Sequence, residues 1–344
     1  MSFSAGGCDK KVKPERKVVL VNFEELPEYL KDNEFIRNYY RCEWPLKDVA
    51  LSIFSCHNET INIWTHLIGF FIFSKILIMS LTQKTSLRNV LETFFGDGSD
   101  GWLPIMIHKS NSSRPHLLLT DSYVGEIGRL DDANIDSTLI PIWPWLVLLG
   151  GAMSCLILSS ISHLLGCHSR RFHYLFWRLD YTGISLMIVC SFFTPIYYIF
   201  PDHPYCRFFY LSSVTLVGAA VVVTLLAPSL NTAHSRSFRA TLFLCMGFSG
   251  VIPATHALIL HWDHPQILIS LFYELVMALF YGVGALVYVA RIPERWKPGA
   301  FDILGHSHQI FHVLVVAAAL AHCAATLIIM DWRRALPAHL TTSL

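Results

Sequence analysis

Apolar residues in this chain come in long runs rather than alternating with polar ones. Seven stretches of about 20 residues are apolar enough to cross a hydrocarbon core of about 30 Å as helices. They are roughly Ile61–Thr82, Ile142–Leu165, Tyr181–Phe200, Phe208–Ala227, Phe238–Leu260, Gln266–Ala290 and Gln309–Met330. Trp64, Trp143, Trp145, Tyr181, Trp262 and Trp332 stand near their ends, where amphipathic rings anchor helices at the interface. The pattern predicts an all-α membrane protein with seven transmembrane helices.

The remaining segments are polar. Residues 1–58 precede the first run; up to Lys17 they are basic and poor in large apolar side chains, the composition of a disordered tail. Between Val18 and Cys56, LVNFEELPEYL and DVALSIFSC mix aromatic and charged residues at helical spacing, which predicts short amphipathic helices lying against the membrane. No cleavable leader is visible, so the first apolar run is expected to act as its own insertion signal. Residues 59–332 form the seven-helix domain, with one long connection at about 83–141 and a short tail at 333–344. GDGSDG, HKSNSSRPH and RLDDANIDS in that connection predict an irregular loop, and Asn111-Ser112-Ser113 matches a glycosylation triplet.

Basic residues in the connections give an orientation. Arg170, Arg171, Arg178, Arg236, Arg239, Arg291, Arg295 and Lys297 share the side of the amino terminus, against Arg207, Arg333 and Arg334 on the short opposite segments. Lys84 and Arg88 in the long loop reduce the contrast without reversing it. The positive-inside rule then predicts a cytosolic amino terminus and an extracellular or lumenal carboxyl terminus.

Composition agrees with a membrane chain: 53% hydrophobic, 15% charged and a mean hydropathy of +0.46, where a soluble domain carries about 25% charged residues. A net charge of +1 suggests no nucleic-acid partner. The 9 cysteines show no CxxC spacing, and Cys155, Cys190, Cys245 and Cys323 lie in apolar runs, where a thiol behaves as a small hydrophobe.

Candidate chemistry gathers at FDILGHSHQIFHV (301–313), where His308 and His312 are four residues apart and so share one helix face. With the charge-derived orientation, His163 at the end of the second run and Asp180 at the start of the third fall at the same cytosolic depth. Three neutral imidazoles with one position left for water is the open arrangement of a catalytic zinc site. Zinc would lower that water's pKa towards about 7 and polarise a carbonyl. Asp180 suits a general base, and Ser159, one turn before His163, could donate to a developing oxyanion. The implied chemistry is hydrolysis of an amide or ester that arrives from the membrane. Plainer roles stay open: a structural histidine pair, Asp180 as a helix cap, and Ser159 or Ser162 as small packing residues. His66 fits packing or backbone bonding, and His306 is expected to face away from His308. Lys75 and Glu274, both inside apolar runs, predict a buried ion pair.

At these motifs the chain resembles the progestin and adipoQ receptor (PAQR) family, which includes the adiponectin receptors. The matching segments are NETINIWTHLIGFF (58–71), SSISHLLGCHS (159–169), RLDYTGISL (178–186), SFFTPIYYIF (191–200) and RIPERWKPGAFDILGHSHQIFHVLVVAAA (291–319). LVNFEELPEYLKDNEFIRNYYR (20–41), CMGFSG (245–250) and the form AFDILGHSHQ are most similar to the plant heptahelical proteins. The resemblance implies a cytosolic amino terminus and a zinc site held by His163, His308 and His312, with Asp180 and Ser159 beside it. It also implies a receptor, with amidase activity on ceramide-like lipids in adiponectin-receptor relatives and hormone, sugar or stress responses in plant ones. Expected partners are the lipid bilayer, a lipid or hormone-like small molecule, and cytosolic signalling proteins that contact the amino-terminal tail. The resident membrane would be the plasma membrane or an endomembrane of the endoplasmic reticulum or Golgi. The long first loop departs from the animal pattern, which makes an adiponectin-like ligand a poor expectation.

Overall fold

Inside a bilayer every backbone N–H and C=O must find its partner within the segment, so each apolar run is driven into a helix. The computed structural model describes residues 18–82, 86–95, 140–227 and 235–335; the Asn111 triplet lies outside them. In chain order the helices are α1 (Leu46–Leu51), α2 (Thr60–Thr82), α3 (Leu87–Phe95), α4 (Trp143–Leu165), α5 (Arg170–Ile199) and α6 (Pro204–Leu225). They continue with α7 (Arg236–Phe248), α8 (Val251–Leu260), α9 (Pro265–Ala290) and α10 (Ser307–Ala335). Among the described residues, seven spans are long and apolar enough to cross a membrane: α2, α4, α5, α6, α7 with α8, α9 and α10.

The spans follow the hydropathy closely except at α5, which begins at Arg170 rather than near Tyr181. Its 30 residues make a rod of about 45 Å. The first turns, RRFHYLFWRLD, carry charges that mask the helix in a hydropathy reading. Ser169 caps it by accepting from the Phe172 backbone N–H at 3.4 Å. Asp180 therefore sits three turns inside α5, which rules out a capping role. A second departure is α3, a short helix where an irregular loop was expected.

Helix α10 is the centre of the bundle, packing against α2, α5 and α9. Between lipid-immersed helices there is no hydrophobic drive, so close approach through small residues supplies the attraction. Ala318 and Ala325 of α10 are fully buried. A Cβ on Gly69 of α2 would lie 2.9 Å from Val316 on α10, and one on Gly151 of α4 only 2.4 Å from the Cβ of Cys190 on α5.

The segment before α2 holds short helices where the sequence predicts them, three 3-10 turns and the six residues of α1. Irregular backbone joins them into a strap tied to the bundle by long-range polar contacts. Asp32 pairs with Arg236 and Glu34 with Arg291. The buried Glu294 accepts from Asn33 at 3.0 Å and from the backbone N–H of Ser307, first residue of α10, at 2.7 Å. One expectation fails: Lys75 and Glu274 are not paired with each other. Lys75 donates to the Thr93 carbonyl and lies 4.4 Å from the centre of the Phe94 ring, on α3. Glu274 pairs with His322 at 2.9 Å. The other nitrogen of His322 lies 3.0 Å from the Ser191 carbonyl, which has no helical donor because Pro195 lacks an N–H.

The α4–α5 contact is testable through adjacent glycines. Gly151→Ala should lower the melting temperature of the detergent-purified protein, overpacking costing about 1–3 kcal/mol. Gly150→Ala, with nothing within 4 Å of the added Cβ, should leave the melting temperature unchanged or slightly raised.

Candidate metal centre

His163 occupies the last turn of α4, while His308 and His312 occupy the first turns of α10. The two helices run towards each other's ends beneath the strap, so three imidazoles converge. One ring nitrogen from each lies within 4.8 Å of the others. Ring centroids are 4.9 Å apart for His163 with His308, 4.9 Å for His163 with His312 and 4.7 Å for His308 with His312.

Hydrogen-bond partners set the tautomers. The His163 Nδ1–H donates to the Glu59 carboxylate at 2.8 Å, which leaves Nε2 with a lone pair; that atom is buried without a hydrogen-bond partner. The His312 Nδ1–H donates to the Asn62 carbonyl at 3.1 Å, again leaving Nε2 free to accept. A carboxylate or carbonyl behind the ring is the usual way a ligating histidine is oriented and its basicity raised. His308 is the least enclosed of the three and faces a cavity of about 90 Å³ whose lining includes Glu59, Arg41, His163 and Trp177. Three converging imidazoles with a buried, unpaired Nε2 form a donor set that could hold a metal ion.

Asp180 is buried one helix away on α5, with Ser159 of α4 and His163 within electrostatic reach of its carboxyl. The structure thus brings all five sequence-selected residues to one end of the bundle. Ser159 stands beside the Asp180 carboxylate on the neighbouring helix. Ser162, one position before His163, donates to the Phe176 carbonyl of α5 at 2.7 Å and closes the α4–α5 gap.

Several residues around the site went unselected. Glu59, Asn62 and His66 recur at i, i+3 and i+7 on an otherwise apolar helix, a polar stripe that marks one face. That spacing was the available signal. Burial works against ionisation at Glu59, yet the His163 and Asn62 hydrogen bonds hold its carboxyl below the usual range. His57 supports it from the strap: its Nδ1 accepts from the Glu59 backbone N–H at 3.1 Å, its other nitrogen lies 3.2 Å from the Ser52 carbonyl, and burial holds its pKa down at about 4. His66 packs as expected, stacked on His312 with centroids 3.6 Å apart. His306, expected to face elsewhere, instead lines the same cavity as His163 and His308. It is buried there because the strap closes over the loop side of α10.

Known proteins place this architecture. Residues 54–323 match the family described as Haemolysin-III related. Heptahelical transmembrane protein 3 of Arabidopsis thaliana is 57% identical over 92% of this chain and 89% of its own length. Heptahelical transmembrane protein 4 of the same plant is 45% identical over 92% of this chain and 90% of its own. The adiponectin receptor protein of Drosophila melanogaster is 35% identical over 88% of this chain and 57% of its own. The chain is a multi-pass integral membrane protein and belongs to the haemolysin-III-related, progestin and adipoQ receptor family, alongside the plant heptahelical proteins.

Proposed function

We propose that this protein is a membrane receptor with a zinc centre that hydrolyses a lipid amide of ceramide type. Its product or the accompanying conformational change would signal in hormone, sugar or stress responses. The observation that carries the reading is the convergence of three imidazoles with Glu59 behind one ring and a carboxylate, Asp180, alongside.

His163, His308 and His312 would hold the ion, His163 and His312 each through Nε2. A bound zinc would supply Lewis acidity, making water acidic near neutral pH and polarising an amide carbonyl. Asp180 takes the proton that the attacking water gives up and returns it to the leaving nitrogen, as a general base and then acid. Ser159 stands beside that carboxylate, and Trp177, edge-on to His163 with centroids 5.1 Å apart, helps exclude bulk water. The strap side is cytosolic on the charge count, so the lipid enters from the membrane and the strap covers the aqueous side.

The small cavity beside His308 favours a second reading, in which the ion only ties α4 to α10 in a non-enzymatic receptor or scaffold whose amino-terminal segment binds cytosolic partners. Asp180→Asn separates the two. Under the hydrolase reading it keeps bound zinc and the wild-type melting temperature but hydrolyses ceramides at least ~100-fold more slowly. No turnover in either protein would favour the scaffold, and Asp180→Asn turning over at the wild-type rate would remove Asp180 as the base.

Two further outcomes are expected. Glu59→Gln keeps the hydrogen-bond geometry but removes the charge behind His163, and chelator competition should show zinc held ~10- to 100-fold more weakly; unchanged affinity would remove Glu59 from the site. For orientation, a protease added to intact cells should spare an amino-terminal tag and cleave a carboxyl-terminal one. The reverse pattern would overturn the charge-derived topology.

A further inference from the structure

Arg41 is the most enclosed cation of the strap, 3% exposed, although it lies in irregular backbone. Its Nη2 donates to the carbonyl oxygen of His163 at 2.8 Å, and its Nη1 donates to that of Leu164 at 3.1 Å and to Ser52 Oγ at 2.6 Å. The last carbonyls of an α-helix have no intrahelical donor and concentrate about half a negative charge. Helix α4 ends at Leu165, so Arg41 supplies two of those missing donors at the residue that bears the imidazole and its neighbour. A planar guanidinium can reach both oxygens at once, which an ammonium cannot match.

His163 is thereby gripped twice. Glu59 holds its ring, and Arg41 holds its backbone, from the segment that precedes α2. The two grips carry opposite charges within electrostatic reach of each other. At the other half of the site, Asn33 of the same strap bonds Glu294, which in turn seats the first residue of the helix carrying His308.

We propose that Arg41 is a positioning residue of the metal centre: it fixes the last turn of α4 and so sets where the metal-binding face of His163 stands. This rests on the metal reading above. It makes the strap a working part of the site, so a displacement that pulls Arg41 away loosens the hold on the ion.

Cobalt titration of the purified, metal-stripped full-length protein tests this, because cobalt bound by histidines absorbs in the visible and reports ligand geometry. Arg41→Gln should bind cobalt at least ~10-fold more weakly and with a shifted visible band, and Arg41→Lys should recover only part of the loss. Ser52→Ala, which frees one arm of Arg41 without changing charge, should shift the band in the same direction by less. Arg88→Gln, an equal charge loss on exposed α3, should match the wild type. Arg41 and Ser52 variants that melt at lower temperature yet bind cobalt with the wild-type affinity and spectrum would reduce the strap to a tether and overturn the proposal. If Arg41→Gln does not fold, Ser52→Ala decides: an unchanged spectrum and affinity overturns it equally. A wild type that binds neither cobalt nor zinc would instead sink the metal centre itself, and this role with it.

Discussion

A buried imidazole has two nitrogens to satisfy, and much of this protein's organisation follows from how His163 solves that. One nitrogen is answered by Glu59 at 2.8 Å; the other points, unanswered, at His308 and His312. An unpaired polar atom in a buried site is costly, and the chain bears that cost at the point where two helix ends and the strap meet. A zinc ion bound there would remove it. The close packing of α2, α4, α5 and α10 brings the groups together, and the glycine contacts at Gly69 and Gly151 allow that approach.

The membrane explains why the site is at one end rather than at mid-depth. Three histidines, two carboxylates and a buried arginine would be expensive in the hydrocarbon centre. Near the helix ends, partners are at hand: the Asn62 carbonyl in the first turn of α2 for His312, and the Arg41 guanidinium for the open carbonyls at the end of α4. Deeper in, the bundle also holds an ionisable pair, Glu274 with His322. It is rooted on the carbonyl that Pro195 leaves unpaired.

How much of this was legible in the sequence depended on which physical force wrote it. Spans such as Trp143–Leu165 and Pro265–Ala290 were legible because lipid demands an unbroken apolar run, and the His308–His312 spacing because helix geometry is fixed. His163 and Asp180 joined them through charge asymmetry alone. The early turns of α5 were not legible, since Arg170, Arg171 and Arg178 lower the hydropathy of a helix that continues past the apolar layer. The strap was illegible for another reason. Its shape comes from pairs such as Asp32–Arg236 and Asn33–Glu294, hundreds of positions apart, with no local periodicity to betray them. Lys75 and Glu274 misled because depth along a helix says nothing about which neighbour each side chain faces.

The central claim is that His163, His308 and His312 hold one zinc ion with a position left open. X-ray absorption at the zinc edge, on protein purified without added metal, tests it most directly. The account predicts about one zinc per chain with three nitrogen ligands at about 2.0–2.1 Å and one further oxygen ligand. A metal-free protein, or zinc bound through sulfur, would contradict it.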